Sequence, residues 1–251
     1  MLEALLLFVA AFFGGMLNAV AGGGTFITFP ALVFVGIPPV VANATSTIAA
    51  LPGYLSAAIA FRGDIRRIQD APFAKLTIWT MIGGAIGSGL LLVSSNEAFS
   101  ILVPFLLLAA TLVFYRADDV RRMASRWRSV VKPFGLGILL PVAVYGGYFN
   151  GGLGIILLAV FAMWGMADLH AMNGLKCWLS FALSLIAFAI FAAGGAVAWG
   201  PAALMAVGTI AGGYAGAPVA RMIPRDMLRL LIAVVGFGMT AIFFWRLIQG
   251  A

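Results

Sequence analysis

The chain has 251 residues, of which 63% are hydrophobic and 9% charged, with a net charge of +7. Soluble domains run at roughly 45–50% and 25%, so this composition excludes a water-soluble globular protein and points to a polytopic membrane protein. One cysteine and one histidine leave no basis for an internal disulfide or a zinc cluster.

Read between charged or Pro/Gly-rich punctuation, the apolar runs fall near 4–21, 24–36, 40–61, 72–93, 98–115, 134–150, 152–166, 172–193, 200–219 and 227–247. Several reach the roughly 18 residues of a membrane-spanning helix. The runs 24–36 and 152–166 do not, and each follows its predecessor across a glycine cluster instead of a charged loop. A helix of 13 residues rises about 20 Å against a hydrocarbon core of about 30 Å. Each such pair is therefore either one interrupted crossing or a hairpin that returns to the side it entered.

Loop charge chooses between them for the second pair and is silent for the first, where only the likeness of the two halves argues for a hairpin. Arg62–Arg67 ("RGDIRR") and Arg116–Lys132 ("RADDVRRMASRWRSVVK") are rich in arginine, while Ser94–Glu97 carries no basic residue. The positive-inside rule puts the first two in the cytoplasm and the third outside. A hairpin over 134–166 then leaves the uncharged loop at 194–199 outside and brings Arg221, Arg225 and Arg229 back inside; a single crossing would put those arginines outside. Basic residues gathered in short loops report topology, and no basic face with interleaved aromatics is present to follow nucleic acid.

The chain also repeats itself. Gly14, Gly15, Asn18 and Gly22 return as Gly146, Gly147, Asn150 and Gly154; Asn43 is matched by Asn173, and Gly83-Gly84-Ala-Ile-Gly87 by Gly212-Gly213-Tyr-Ala-Gly216. The division is a first transmembrane repeat at 1–119, a basic cytoplasmic linker at 120–132 and a second repeat at 133–251. The fold class expected is all-α, with two inverted-topology repeats, each a broken-helix hairpin plus three transmembrane helices, and both termini outside. An odd number of segments per repeat inverts the second copy, an arrangement common in secondary transporters.

Candidate site residues lie at the breaks. The glycines Gly22, Gly23 and Gly24 with Thr25, and Gly154 in the second copy, stand where a second helix begins with unpaired N–H groups and a positive dipole end, a setting that attracts anions. Asn18 and Asn150 offer amides just before each break. The structural alternative is that the glycines permit close helix packing and the asparagines cap a turn. Asn43 with Ser46, and Asn173 with Lys176, form the next pair of breaks, with Asn as a possible N-cap. In the second copy Lys176 is a strongly basic residue that falls inside an apolar run, which marks it for function; the alternative is that its stem carries the ammonium out to the headgroups. Gly83/Gly87 and Gly212/Gly216 read as helix-packing pairs, Asp168 and His170 as interfacial, and Trp199 and Trp245 as interface anchors.

Two other readings of the first glycine cluster fail. Ala19-Val20-Ala21 resembles a signal-peptide cleavage site, but the run has no basic n-region and the same pattern returns in mid-chain. A phosphate-binding loop would need a preceding strand and a Walker lysine. The chain carries no cofactor motif, no nucleophile–base or metal constellation for an enzyme, and no pattern that sets an oligomeric state.

The stretch "GGMLNAVAGGGTFITFPALVFVGIPPVVANATSTIAALP", with its weaker counterpart "GGYFNGGLGIILLAVFAMWGMADLHAMNGLKCWLSF", resembles the TauE/SafE family of membrane permeases, often called sulfite exporters. The resemblance covers nearly the whole chain, although the second copy lacks the full glycine triplet. It implies a bacterial inner-membrane permease for small anions such as sulfite, sulfonates, sulfoacetate or related organic anions. The eight carboxylates all fall in loops or at segment ends, so no proton relay is expected. The reading is an alternating-access exporter working around two glycine-tipped hairpins, with an anion channel of the same fold as the alternative. Its partners are the small anion and the lipid bilayer.

Overall fold

A computed structural model describes residues 1–20, 22–68, 71–126, 132–222 and 225–249. The side chains of 20, 117, 215–222, 225–229, 231 and 232 lie outside the description, as do Ala21 of the weighed cleavage motif and Asp70. Among the side chains left out are those of Arg221, Arg225, Asp226 and Arg229, and nothing is described around Gly216 beyond its backbone.

Every regular element among the described residues is a helix, without strand. The first half contains α1 (Leu2–Val20), α2 (Thr25–Phe34), α3 (Pro39–Ala60), the short α4 (Arg62–Ile65), α5 (Phe73–Val93) and α6 (Asn96–Tyr115). Then come α7 (Ala117–Arg126), α8 (Leu136–Tyr148), α9 (Leu153–Met163), α10 (Leu169–Ala193), α11 (Trp199–Met222) and α12 (Arg225–Ile248). Each of the ten apolar runs forms one helix. Four of them, α1, α5, α6 and α10, are long and apolar enough to cross a membrane, and the fold is that of a polytopic membrane protein.

Both short helices fold back on their predecessors. In the first pair, α2 returns along α1: the Cβ that Gly14 lacks would lie 2.7 Å from the Thr28 methyl. In the second, the ring of Trp164 just past α9 meets Phe134 ahead of α8, with centroids 5.4 Å apart. Each return helix ends alike, at Gly36 and Gly165, both with φ of 86°. The next amide reaches back in each case, Ile37 N to Leu32 O and Met166 N to Phe161 O. These are Schellman stops, which glycine in the left-handed region allows.

The long helices pack through glycine. Gly15 faces Thr209 and Gly213 of α11, and Gly147 faces Gly84 of α5. Gly87 and Gly212, expected as packing residues, press on the backbones of Val144 and Phe12. Contacts advance together in these pairs, so α1 runs parallel to α11 and α8 to α5. By contrast α3 and α10 are antiparallel: Thr45 Oγ1 accepts from Ala198 N past the end of α10, while Gly174 near its start faces Phe61 and Ile65. The pairs Phe105–Phe244 and Thr111–Gly236 make α6 and α12 antiparallel too.

One element departs from the sequence reading. The stretch taken as a basic linker contains α7, because a charge count overlooks the helical period of Val120 and Ala124. Asp118–Arg121 at 3.2 Å and Asp119–Arg122 at 2.8 Å are i,i+3 pairs, with acids in the first turn and Arg126 in the last, as the helix dipole favours. Ala124 is buried in the core cluster that includes Leu157, Val160 and Phe161 of α9.

Candidate functional site

The two hairpin turns meet. A Cβ on Gly22 would lie 2.6 Å from the Gly154 Cα, and one on Gly154 would lie 2.7 Å from the Gly22 Cα. Two backbones approach here as only glycines allow, and Gly22 also takes φ of 79°.

In the first break the asparagine side chain closes the turn. Asn18 Oδ1 accepts from Gly24 N at 2.8 Å, so the amide reading as a turn cap holds for this residue, while its Nδ2 remains a possible donor. Gly23 packs against the ring of Phe114, and Thr25 opens α2 as a buried residue. One turn on, Thr28 Oγ1 bonds to Ser46 Oγ at 2.6 Å, tying α2 to α3. Ser46 is fully buried.

The second turn is built differently. Asn150 lies past the end of α8 with φ of 61°, and α9 begins at Leu153 on an αL Gly152, one residue before Gly154. Asn150 is 1% exposed, and neither of its amide atoms has a hydrogen-bond partner. The Tyr54 hydroxyl of α3 faces it without closing a bond of ordinary geometry. The repeat in sequence thus yields one capped turn and one with its amide unengaged.

Neither Asn43 nor Asn173 is an N-cap. The helices begin earlier, at Pro39 behind Pro38 and at Leu169 behind Asp168, because proline suits the first helical position and Asp168 accepts from His170 N at 2.9 Å. Asn43 sits in the second turn and donates Nδ2 to the Tyr148 carbonyl at 2.8 Å. Asp168 is therefore a cap, which its place ahead of the apolar run would have signalled.

Lys176 comes to the same place from α10. It is 0% exposed, so its ammonium does not reach out to headgroups. Its Nζ donates to Asn173 Oδ1 at 2.9 Å and to the Asn18 carbonyl at 3.5 Å, and its Cδ would lie 3.1 Å from a Cβ on Gly154. Among the described residues its amine has no carboxylate partner; the ion pairs there join Asp64–Arg67, Asp118–Arg121 and Asp119–Arg122. The structure brings Asn18, Gly22, Gly24, Gly154, Asn173 and Lys176 together at one seam. Ser46 and Thr25 stand on the α2–α3 side, and Asn43 on the α3–α8 contact. Sequence reasoning missed Thr28 and Tyr54, whose hydroxyls carry no motif.

The model of the family described as sulfite exporter TauE/SafE matches residues 7–243. A probable membrane transporter protein of Haemophilus influenzae is 32% identical over 94% of this chain and 92% of its own length. One from Sinorhizobium is 29% identical over 93% and 89%, and the probable membrane transporter YfcA of Escherichia coli K12 is 26% identical over 94% and 87%. No solved structure matches the chain.

Proposed function

The chain belongs to the TauE/SafE family of membrane transporters, and from that premise we propose that it exports small anions, of the sulfite, sulfonate or sulfoacetate kind, by alternating access. The observation that carries this reading is the Lys176 amine, buried at the junction of the two hairpin turns, whose partners among the described residues are a carbonyl and an amide oxygen. An ammonium has three donors; here two are engaged, and a buried charge without a counter-charge is costly. A bound anion supplies both the missing charge and an acceptor for the remaining N–H. The side-chain amides of Asn18 and Asn150 lend it further donors.

Alternating access is supported by the helix directions. Corresponding helices pair antiparallel in α3·α10 and α6·α12, while α1·α11 is repeated by α8·α5. An axis in the membrane plane relating two inverted repeats requires this pattern. The start of α3, loop 94–97 and residues 196–198 also gather at one end, through Val40 N to Asn96 Oδ1 and Ala198 N to Thr45 Oγ1. These are the segments that loop charge places outside. Export needs no coupling proton, since each negative charge leaving a negative-inside cell gains roughly 2.3 kcal/mol per 100 mV.

The test is purified protein in liposomes loaded with sulfite or a panel of sulfonates, with the potential imposed. Saturable, voltage-driven flux of one class supports the reading. Absence of flux for all of them contradicts it, and unitary currents above carrier rates would make the protein a channel.

A further inference from the structure

A groove of about 600 Å³ runs between α1 and α12 with α2 as its floor. This is a volume typical of small-molecule sites. It lies away from Lys176, and its walls are helical stripes: Leu6, Val9, Phe13 and Leu17 on one side, Val235, Met239 and Ile242 on the other. Every lining residue is apolar except Arg246, at the C-terminal end of α12. From Leu6 to Leu17, and again from Val235 to Arg246, the walls span twelve residues, or roughly 16 Å of helix rise from first to last. Half of a hydrocarbon core of roughly 30 Å is nearly the same length, so the groove matches one leaflet.

Arg246 is exposed and forms no ion pair among the described residues. Beside it, Trp245 is 64% exposed, as a headgroup-level anchor is. The second half fills the comparable place with its own chain: α7 packs along α9, the counterpart of α2, and buries Ala124 against it. Among the described residues no helix does this for α2, whose Phe34 is 71% exposed.

We infer that this groove holds an acyl chain of one anionic phospholipid, with Arg246 on the lipid phosphate. The bilayer supplies the chain, and Arg246 at the open end selects the headgroup. This does not depend on what the protein transports. A basic residue near the membrane surface is worth about 1 kcal/mol toward anionic lipid, or about fivefold in preference.

The protein would be reconstituted in mixed phosphatidylglycerol and phosphatidylethanolamine, extracted gently, and its retained lipid weighed by native mass spectrometry. The expected result is one phosphatidylglycerol per chain. R246Q should lower the preference about fivefold, and A31W, which fills the floor of the groove, should abolish retention of either lipid. Arg246 is exposed, so R246Q decides the matter even should A31W fail to fold. Retention in the bulk lipid ratio, an unchanged preference in R246Q, or undiminished retention in a folded A31W would overturn the assignment.

Discussion

The Lys176 ammonium of α10 reaches the backbone carbonyl of Asn18 at 3.5 Å, joining one half of the chain to the turn that opens the other. The two residues are 158 positions apart. Asn18 faces both ways there, since its own side chain accepts from Gly24 N just ahead of α2.

That double position separates stability from transport. Asn18→Ala removes the acceptor for the buried Gly24 N and should cost about 1–3 kcal/mol, the penalty of a buried donor left unpaired. Asn18→Asp keeps the acceptor but sets a negative charge beside Lys176. Its stability should stay near that of the parent while anion flux falls at least tenfold. Thermal denaturation in detergent, run beside liposome flux, distinguishes the two; an Asp variant with full flux would remove Asn18 from the anion's surroundings.

Gly22 and Gly154 should each reject alanine. The added Cβ would meet backbone at 2.6 or 2.7 Å, which a rotamer change cannot relieve, and overpacking of this kind costs about 1–3 kcal/mol. Gly200 and Gly238 have open space around them, so alanine there is the control. Melting temperatures of the four variants check the ordering.

Asp168 should behave as a cap and no more. Asp168→Asn retains an oxygen for the His170 amide, whereas Asp168→Ala should lose about 1 kcal/mol. Both should keep the parental KM. A raised KM in the asparagine variant would show that the carboxylate charge matters to the substrate.

The orientation can be read by cysteine labelling, because native Cys177 is buried. Glu97→Cys and Gly200→Cys should react with an impermeant maleimide on intact cells. Arg122→Cys should react only after permeabilisation. Labelling of 97 and 200 from opposite sides would rule out the inverted arrangement.

Much of the fold is legible in the sequence because a bilayer enforces long apolar runs and charged loops. The Gly14/Gly146 and Gly84/Gly213 correspondences marked the places where helices later prove to touch. What escaped was local. Asn43 and Asn173 have the chemistry of N-caps, yet Pro39 and Asp168 open those helices a turn earlier. α7 was hidden by its charge, and its amphipathic period shows only when charge is set aside. At the site, Lys176 stood out as a cation in an apolar run, but its inward direction depends on a partner 158 residues away. The unlike roles of Asn18 and Asn150 follow from α1 running on to Val20 while α8 stops at Tyr148, a difference the matched Gly-Gly-x-x-Asn pattern conceals.

The claim that the seam between the hairpins holds the anion turns on one charge. Lys176→Met keeps most of the buried stem and removes the ammonium. In liposomes under an imposed potential, the parent should move sulfite or a sulfonate saturably, and a folded Lys176→Met variant should show at least tenfold lower flux at subsaturating anion. Equal flux and equal KM in the two proteins would contradict the account.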